Sequence, residues 1–229
     1  MINLLITHES QLIQKNSDKN RRNGLSQVAK AEQVLVPPYY PDTPVVRKTI
    51  AQQYDNIHAI DKQVGEIMEK LRADDLANNT IVISTTDHGD GLPRGKRELY
   101  DSGIKVPMII HWPESLRPKS FESGVIDERL ISFVDFAPSI LRLAGVDMPD
   151  YLHGVPSLFD QQVIRNYIYA EKDRMDEFTA RERAVRDHQF KYISNYDSDK
   201  PGAVHLRYRD QLGVMQELWS GLESGSLNR

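Results

Sequence analysis

Cysteine does not occur in this 229-residue chain. Its absence excludes disulfides, thiolate metal sites and a cysteine nucleophile within these residues. Long apolar runs are missing too. The longest, such as residues 106–110 (VPMII), fall far short of the roughly 18 residues that a membrane-spanning helix needs. Nor is there an excess of positive charge. Lys and Arg number 29 against 33 Asp and Glu, for a net charge of −4, so a basic nucleic-acid footprint is absent and no nucleic-acid partner is expected. Residues 1–10 (MINLLITHES) lack a basic leader segment and a small-residue cleavage site, and are not read as a signal peptide. What remains is a chain 39% hydrophobic and 27% charged, both signs interspersed. That is the composition of a solvated globular protein, with room for one domain or for one plus a smaller second.

Residues 2–7 (INLLIT) form an apolar run expected as a buried strand. Residues 11–31 are polar and read as an irregular insertion with a single helical turn. Residues 34–44 hold four prolines and read as extended or turning chain. Thr43 then caps a helix whose first position is Pro44. Ile50, Tyr54, Ile57, Val64, Ile67 and Leu71 give it an amphipathic stripe about seven turns long. Residues 80–86 (TIVISTT) are β-branched through their centre, as expected of a buried parallel strand. A polar loop with four glycines follows over 87–103, then a strand over 106–112. Asp135 is expected to cap a helix that runs through Leu143 and ends near Gly145.

This alternation predicts an α/β fold over residues 1–159, a mostly parallel sheet sandwiched by helices. Residues 160–229 read differently. Short aromatic and β-branched runs at 166–170, 184–186 and 190–193, with a closing helix at 214–222, predict a small antiparallel-sheet α+β subdomain.

Ligands of open α/β sheets bind beyond the C-terminal ends of the strands. His8 ends the first run, Asp87 and His88 end the second, and Lys96 lies nine residues past Asp87 in the glycine-rich loop. A carboxylate, two imidazoles and an ammonium are therefore expected at one sheet edge. Asp and His can ligate a cation, His can move protons, and Lys can neutralise an oxyanion. The remaining histidines, His58, His111, His153, His188 and His205, have no such setting and read as surface or satisfied residues.

In order, residues 79–113 (NTIVISTTDHGDGLPRGKRELYDSGIKVPMIIHWP) and 131–156 resemble the C-terminal signature region of type I sulfatases of the alkaline-phosphatase superfamily. Residues 55–71 and 183–195 resemble that family as well. The likeness covers about four fifths of the chain. It implies an alkaline-phosphatase-like fold, incomplete here, and a periplasmic, secreted or lysosomal setting. It also implies a hydrolase of sulfate esters or N-sulfates, with the sulfamidase-like and carbohydrate-sulfatase branch closest.

By that resemblance Asp87 and His88 match a metal-ligand pair. The family's metal is calcium, and His88 in place of Asn leaves manganese or zinc open. Lys96 matches the lysine that contacts the sulfate. His8 matches a histidine that binds sulfate and protonates the leaving group, and Arg94 is a further substrate-binding candidate. The implied substrate is a sulfated sugar or other sulfate ester. The family's nucleophile is a formylglycine made within a Cys/Ser-x-Pro-Ser-Arg motif, and none of these 229 residues supplies one. The nearest string, Ala137-Pro138-Ser139-Ile140, lacks both the nucleophile and the Arg. The resemblance thus implies an upstream segment that carries the nucleophile and further metal ligands, and an inactive isolated chain. Two other readings stand beside it: a phosphodiesterase or phosphonate monoester hydrolase of the same superfamily, and a truncated non-catalytic chain.

Overall fold

The computed structural model describes residues 1–199 and 204–227. The chain divides into two compact units. The first comprises Met1–Leu116, Met175–Phe178 and Pro201–Arg229, the second Arg117–Arg174 and Thr179–Lys200.

In the first unit a 3₁₀ turn, Glu9–Leu12, leads into helix α1 (Gln14–Arg22). The single turn expected there is a nine-residue helix. It is anchored by buried Leu12 and Ile13 just before it, and by buried Ser17, whose hydroxyl accepts a hydrogen bond from Gln52 at 2.8 Å. Helix α2 (Pro44–Ala73) starts as the sequence predicts. The Thr43 hydroxyl accepts the Val46 N–H at 3.2 Å and Pro44 opens the first turn.

Its buried face is not the whole predicted stripe. Val46, Ile50 and Ala51 are in the core, whereas Tyr54 and Ile57 are 45% and 49% exposed. Helix α5 (Gly213–Glu223) lays Val214 and Met215 against Val46 and Ile50; Leu12, Ile13, Val34, Leu92 and Leu212 complete this core. Asp55 accepts the Val28 and Ala29 N–H groups at 2.8 and 2.9 Å, tying the preceding segment to α2.

The expected parallel sheet is overturned. Strands β1 (Val82–Thr85) and β2 (Met108–His111) pair antiparallel, Val82 opposite His111 and Thr85 opposite Met108. The described residues hold only this two-stranded sheet and a three-stranded one, and no parallel sheet sandwiched by helices. Two physical reasons account for the difference. A parallel return needs a crossover, usually a full helix, and the link between β1 and β2 holds only the one-turn α3 (Asp101–Ile104). Residues 2–7 form no strand, and Ile2 and Leu5 are largely exposed. A β-branched run marks a strand without fixing the direction of its neighbour.

The second unit holds α4 (Phe136–Leu143) and, apart from Met175 and Phe178 at the turn between β3 and β4, a sheet ordered β3 (Ile168–Met175), β4 (Phe178–Arg186), β5 (Lys191–Asn195). β4 and β5 are antiparallel, with Ala184 opposite Ile193. Gly145, at φ +69°, ends the α4 region in the left-handed conformation that favours glycine. Asp135 precedes α4, but its carboxylate makes no cap. It accepts from Val155 N at 2.9 Å, Ser157 Oγ at 2.8 Å and the Arg165 guanidinium. No helix among the described residues is long and apolar enough to cross a membrane.

Candidate functional site

The site grows from two loops of the first unit. The 3₁₀ turn presents His8 and Glu9 on adjacent residues. The loop after β1 returns past Gly91 and presents Lys96 and Arg97. Gly91 is needed for that approach: a Cβ there would stand 2.4 Å from the Cβ of Glu9. The bends that follow fall on residues other than glycine. Arg94 and Arg97 lie at φ +65° and +82°, in the left-handed region. Gly91→Ala should therefore lower stability by about 1–3 kcal/mol, as overpacking does. Urea unfolding with a midpoint equal to the parent's would refute that close approach.

Lys96 Nζ lies 3.3 Å from His8 Nε2 and 3.3 Å from Glu9 Oε1. An ammonium has donors only, so Lys96 asks Nε2 to accept, while on the other side of the ring Nδ1 lies 3.0 Å from Ser10 Oγ and accepts the Ser10 N–H at 3.2 Å; a neutral imidazole meets one of these two demands at a time. Burial pushes the His8 imidazole below its ordinary value. Lys96, His88 and Arg97 push the same way, against Glu9.

Glu9 is 2% exposed. Its two oxygens accept from Arg97 Nη1 at 2.7 Å and Nη2 at 2.8 Å, a bidentate grip. Burial raises its carboxyl, but the Arg97 and Lys96 partners outweigh burial and hold it below the ordinary value. Arg97 Nε reaches on to Asp176 Oδ2 at 3.0 Å.

These side chains line a cavity of about 540 Å³ together with Glu177, Arg207, Tyr208 and Gln211, within the size range of small-molecule sites. Glu177 accepts the Arg207 N–H at 2.8 Å. Cations, acids, a phenol and an amide meet in one hollow, a setting for a polar, anionic ligand.

Of the residues singled out in the sequence, His8 and Lys96 meet in this cavity. Asp87 and His88 stand just beyond β1. The Asp87 side chain is 85% exposed, and its Oδ1 lies 3.5 Å from His88 Nε2. His88 Nδ1 lies 2.7 Å from the Gly89 carbonyl, so Nδ1 donates to it and the Nε2 lone pair is left free. Neither residue lines the cavity. Arg94 is drawn away, its guanidinium 4.8 Å from the Tyr39 ring centre and 4.0 Å from that of Tyr100. No group of three or more His, Asp or Glu among the described residues is placed to hold a metal ion.

Sequence reasoning missed the Glu9–Arg97 pair as a unit, along with Glu177, Arg207, Tyr208 and Gln211. The first carried a faint signal, since Glu9 adjoins His8 and Arg97 adjoins Lys96. The others, far along the chain, carried none. Ser139, from the nearest nucleophile-like string, is 1% exposed and its Oγ accepts the Leu158 N–H at 3.1 Å, a structural role.

A family model described as Sulfatase matches residues 7–146, and one described as N-sulphoglucosamine sulphohydrolase, C-terminal, matches residues 94–211. The chain is 42% identical over 194 residues to an ulvan-active sulfatase of Formosa agariphila, covering 84% of this chain and 32% of that protein. It is 36% identical over 118 residues to human N-sulphoglucosamine sulphohydrolase, covering 52% of this chain and 23% of that one. Its fold is similar to that of BT4656, solved with its substrate D-glucosamine-2-N,6-O-disulfate. That likeness has a TM-score of 0.55 at 19% identity and covers 95% of this chain and 44% of that one. The chain thus spans about a third or less of the length of these two curated relatives.

Proposed function

The chain belongs to the sulfatase family, and we propose that it carries the sulfate-contacting and leaving-group side of a hydrolase of sulfated carbohydrates. The observation that supports this most is the Lys96 ammonium 3.3 Å from the His8 imidazole, both open to a cavity of about 540 Å³. A sulfate ester entering the cavity presents negative oxygens that attract Lys96. The charge that develops on the leaving oxygen as the S–O bond breaks is neutralised by a proton from the protonated form of His8. Cavity residues beyond the sulfate hold the sugar through hydroxyl contacts. The human and Formosa relatives, named for N-sulphoglucosamine and ulvan, favour an anionic polysaccharide or its fragments as the substrate class.

Asp87 and His88 fit a divalent cation as two members of its donor set. The carboxylate oxygen and the imidazole nitrogen are adjacent, and the Gly89 carbonyl fixes the tautomer that leaves Nε2 free. Such a cation would supply further positive charge against the sulfate oxygens. A formylglycine does not fit any residue present: there is no cysteine, and the serine of the nearest string is buried and engaged.

The test is an assay of the 229-residue chain and of a longer polypeptide joining it to a segment with a Cys/Ser-x-Pro-Ser-Arg motif, on matched sulfate and phosphonate esters with calcium or manganese added. The expected result is no turnover by the short chain and sulfate release by the longer one. Turnover by the short chain would place a nucleophile within it. A longer chain that cleaves the phosphonate ester faster than the sulfate ester would replace this reading with the phosphonate one.

A further inference from the structure

We infer that Glu9 is an internal anion that competes with the substrate's sulfate for Lys96, a positioning residue that also eases release of inorganic sulfate. The inference rests on the reading of Lys96 as a sulfate contact.

The geometry separates the two cations that Glu9 meets. Arg97 is fully used: two guanidinium nitrogens grip Glu9 at 2.7 and 2.8 Å and the third meets Asp176 at 3.0 Å. Its side chain is 9% exposed, so it serves as a fixed counter-charge inside the wall. Lys96 is held more loosely, 3.3 Å from both Glu9 and His8, with its side chain 21% exposed at the cavity. Consecutive cations converge on one buried carboxylate, and the looser one is the more exposed to the hollow, 21% against 9%.

In charge terms Glu9 and Asp176 balance Lys96 and Arg97. The empty site is therefore near neutral, while its ammonium is already aimed. An arriving sulfate must draw Lys96 from Glu9, and on departure the ammonium returns. Without Glu9 the site would hold an unbalanced positive charge and bind any sulfate, product included, more tightly. Gly91 supports the same design, because its missing side chain lets the Lys96 loop close against the Glu9 backbone.

The experiment measures binding of inorganic sulfate to the chain by titration calorimetry in chloride buffer of constant ionic strength. The parent is compared with Lys96→Ala, Glu9→Gln and the double variant Glu9→Gln/Arg97→Met. The last removes both buried charges and keeps the comparison open if Glu9→Gln alone does not fold. Lys96→Ala should weaken sulfate. Glu9→Gln should tighten it about ten- to a hundredfold, the range in which one neighbouring charge shifts an ionic equilibrium; the double variant, which frees Lys96 from Glu9 without changing the net charge, should tighten it by less. Folded variants with parental or weaker sulfate affinity would overturn the inference while leaving Lys96 a sulfate contact. Unchanged affinity in Lys96→Ala, or no sulfate binding by any of the proteins, would overturn both.

Discussion

In a catalytically competent polypeptide that carries these residues, Lys96→Ala is expected to lower turnover by about a hundredfold or more. That is the loss seen when one preorganised charge stabiliser is removed from a reacting oxyanion. Of the two cations that meet Glu9, Lys96 is the one with freedom to act, since Arg97 is engaged by Glu9 and Asp176 through three of its nitrogens. The alanine also deprives His8 of the ammonium 3.3 Å away and leaves Glu9 an uncompensated share of charge beside an anionic substrate. kcat should fall more than KM rises, because charge on the leaving group develops in the transition state and not in the bound ester. Lys96→Arg should not restore the rate: a planar fork cannot replace a compact ammonium set between an imidazole and a carboxylate. A steady-state profile of Lys96→Ala within a few fold of the parent would remove Lys96 from the reaction.

The second large effect concerns stability and lies in the other unit. Asp135→Ala is expected to cost about 3–5 kcal/mol, the range for removing one partner of a buried ion pair. The Arg165 side chain is 26% exposed, so some of its orphaned charge returns to water and the loss should sit toward the lower end. Asp135 is fully buried and satisfies the Val155 N–H and the Ser157 hydroxyl as well as Arg165. Truncation strands all three. Urea unfolding followed through this unit should show a clearly lower midpoint, and an unchanged midpoint would mean that these contacts carry little.

The same carboxylate gives a pH signature. Burial raises its pKa, but the Arg165, Val155 and Ser157 hydrogen bonds and the Arg165 charge bring it below the ordinary value. A depressed carboxylate stabilises the fold fully above its unfolded pKa, and that stability is lost as pH falls through the folded value. The acid sensitivity of unfolding should therefore diminish in Asp135→Ala.

The local elements were legible because their signals are local. Thr43 and Pro44 mark the start of α2 by the chemistry of an N-cap and a first turn, and that start is where the helix begins. The β-branched run at 80–86 contains β1, and the aromatic runs at 166–170 and 190–193 touch β3 and β5. The sheet's direction was not legible, because pairing is set by the path of the connecting chain and not by the composition of the strand. Asp135 looks like a cap in sequence, yet a fully buried acid does better against Arg165, thirty residues away, than against its own helix. At the site, His8 and Lys96 stood out by residue type and position. Glu9 and Arg97 were hidden beside them, because a buried bidentate pair formed by residues 88 positions apart has no sequence period. The Arg94 guanidinium lies over the aromatic faces of Tyr39 and Tyr100, residues whose approach no sequence period announces.

The proposed function requires that sulfate be met by the His8–Lys96 corner of the cavity. The most direct measurement is an NMR titration of the isotope-labelled 229-residue chain with sodium sulfate, against sodium chloride at equal ionic strength. Saturable sulfate-specific shifts are predicted at the His8 ring nitrogens, the Lys96 ammonium and the Arg97 backbone amide, with resonances of residues 117–174 unmoved. Shifts confined to other basic residues, or none that saturate, would contradict it.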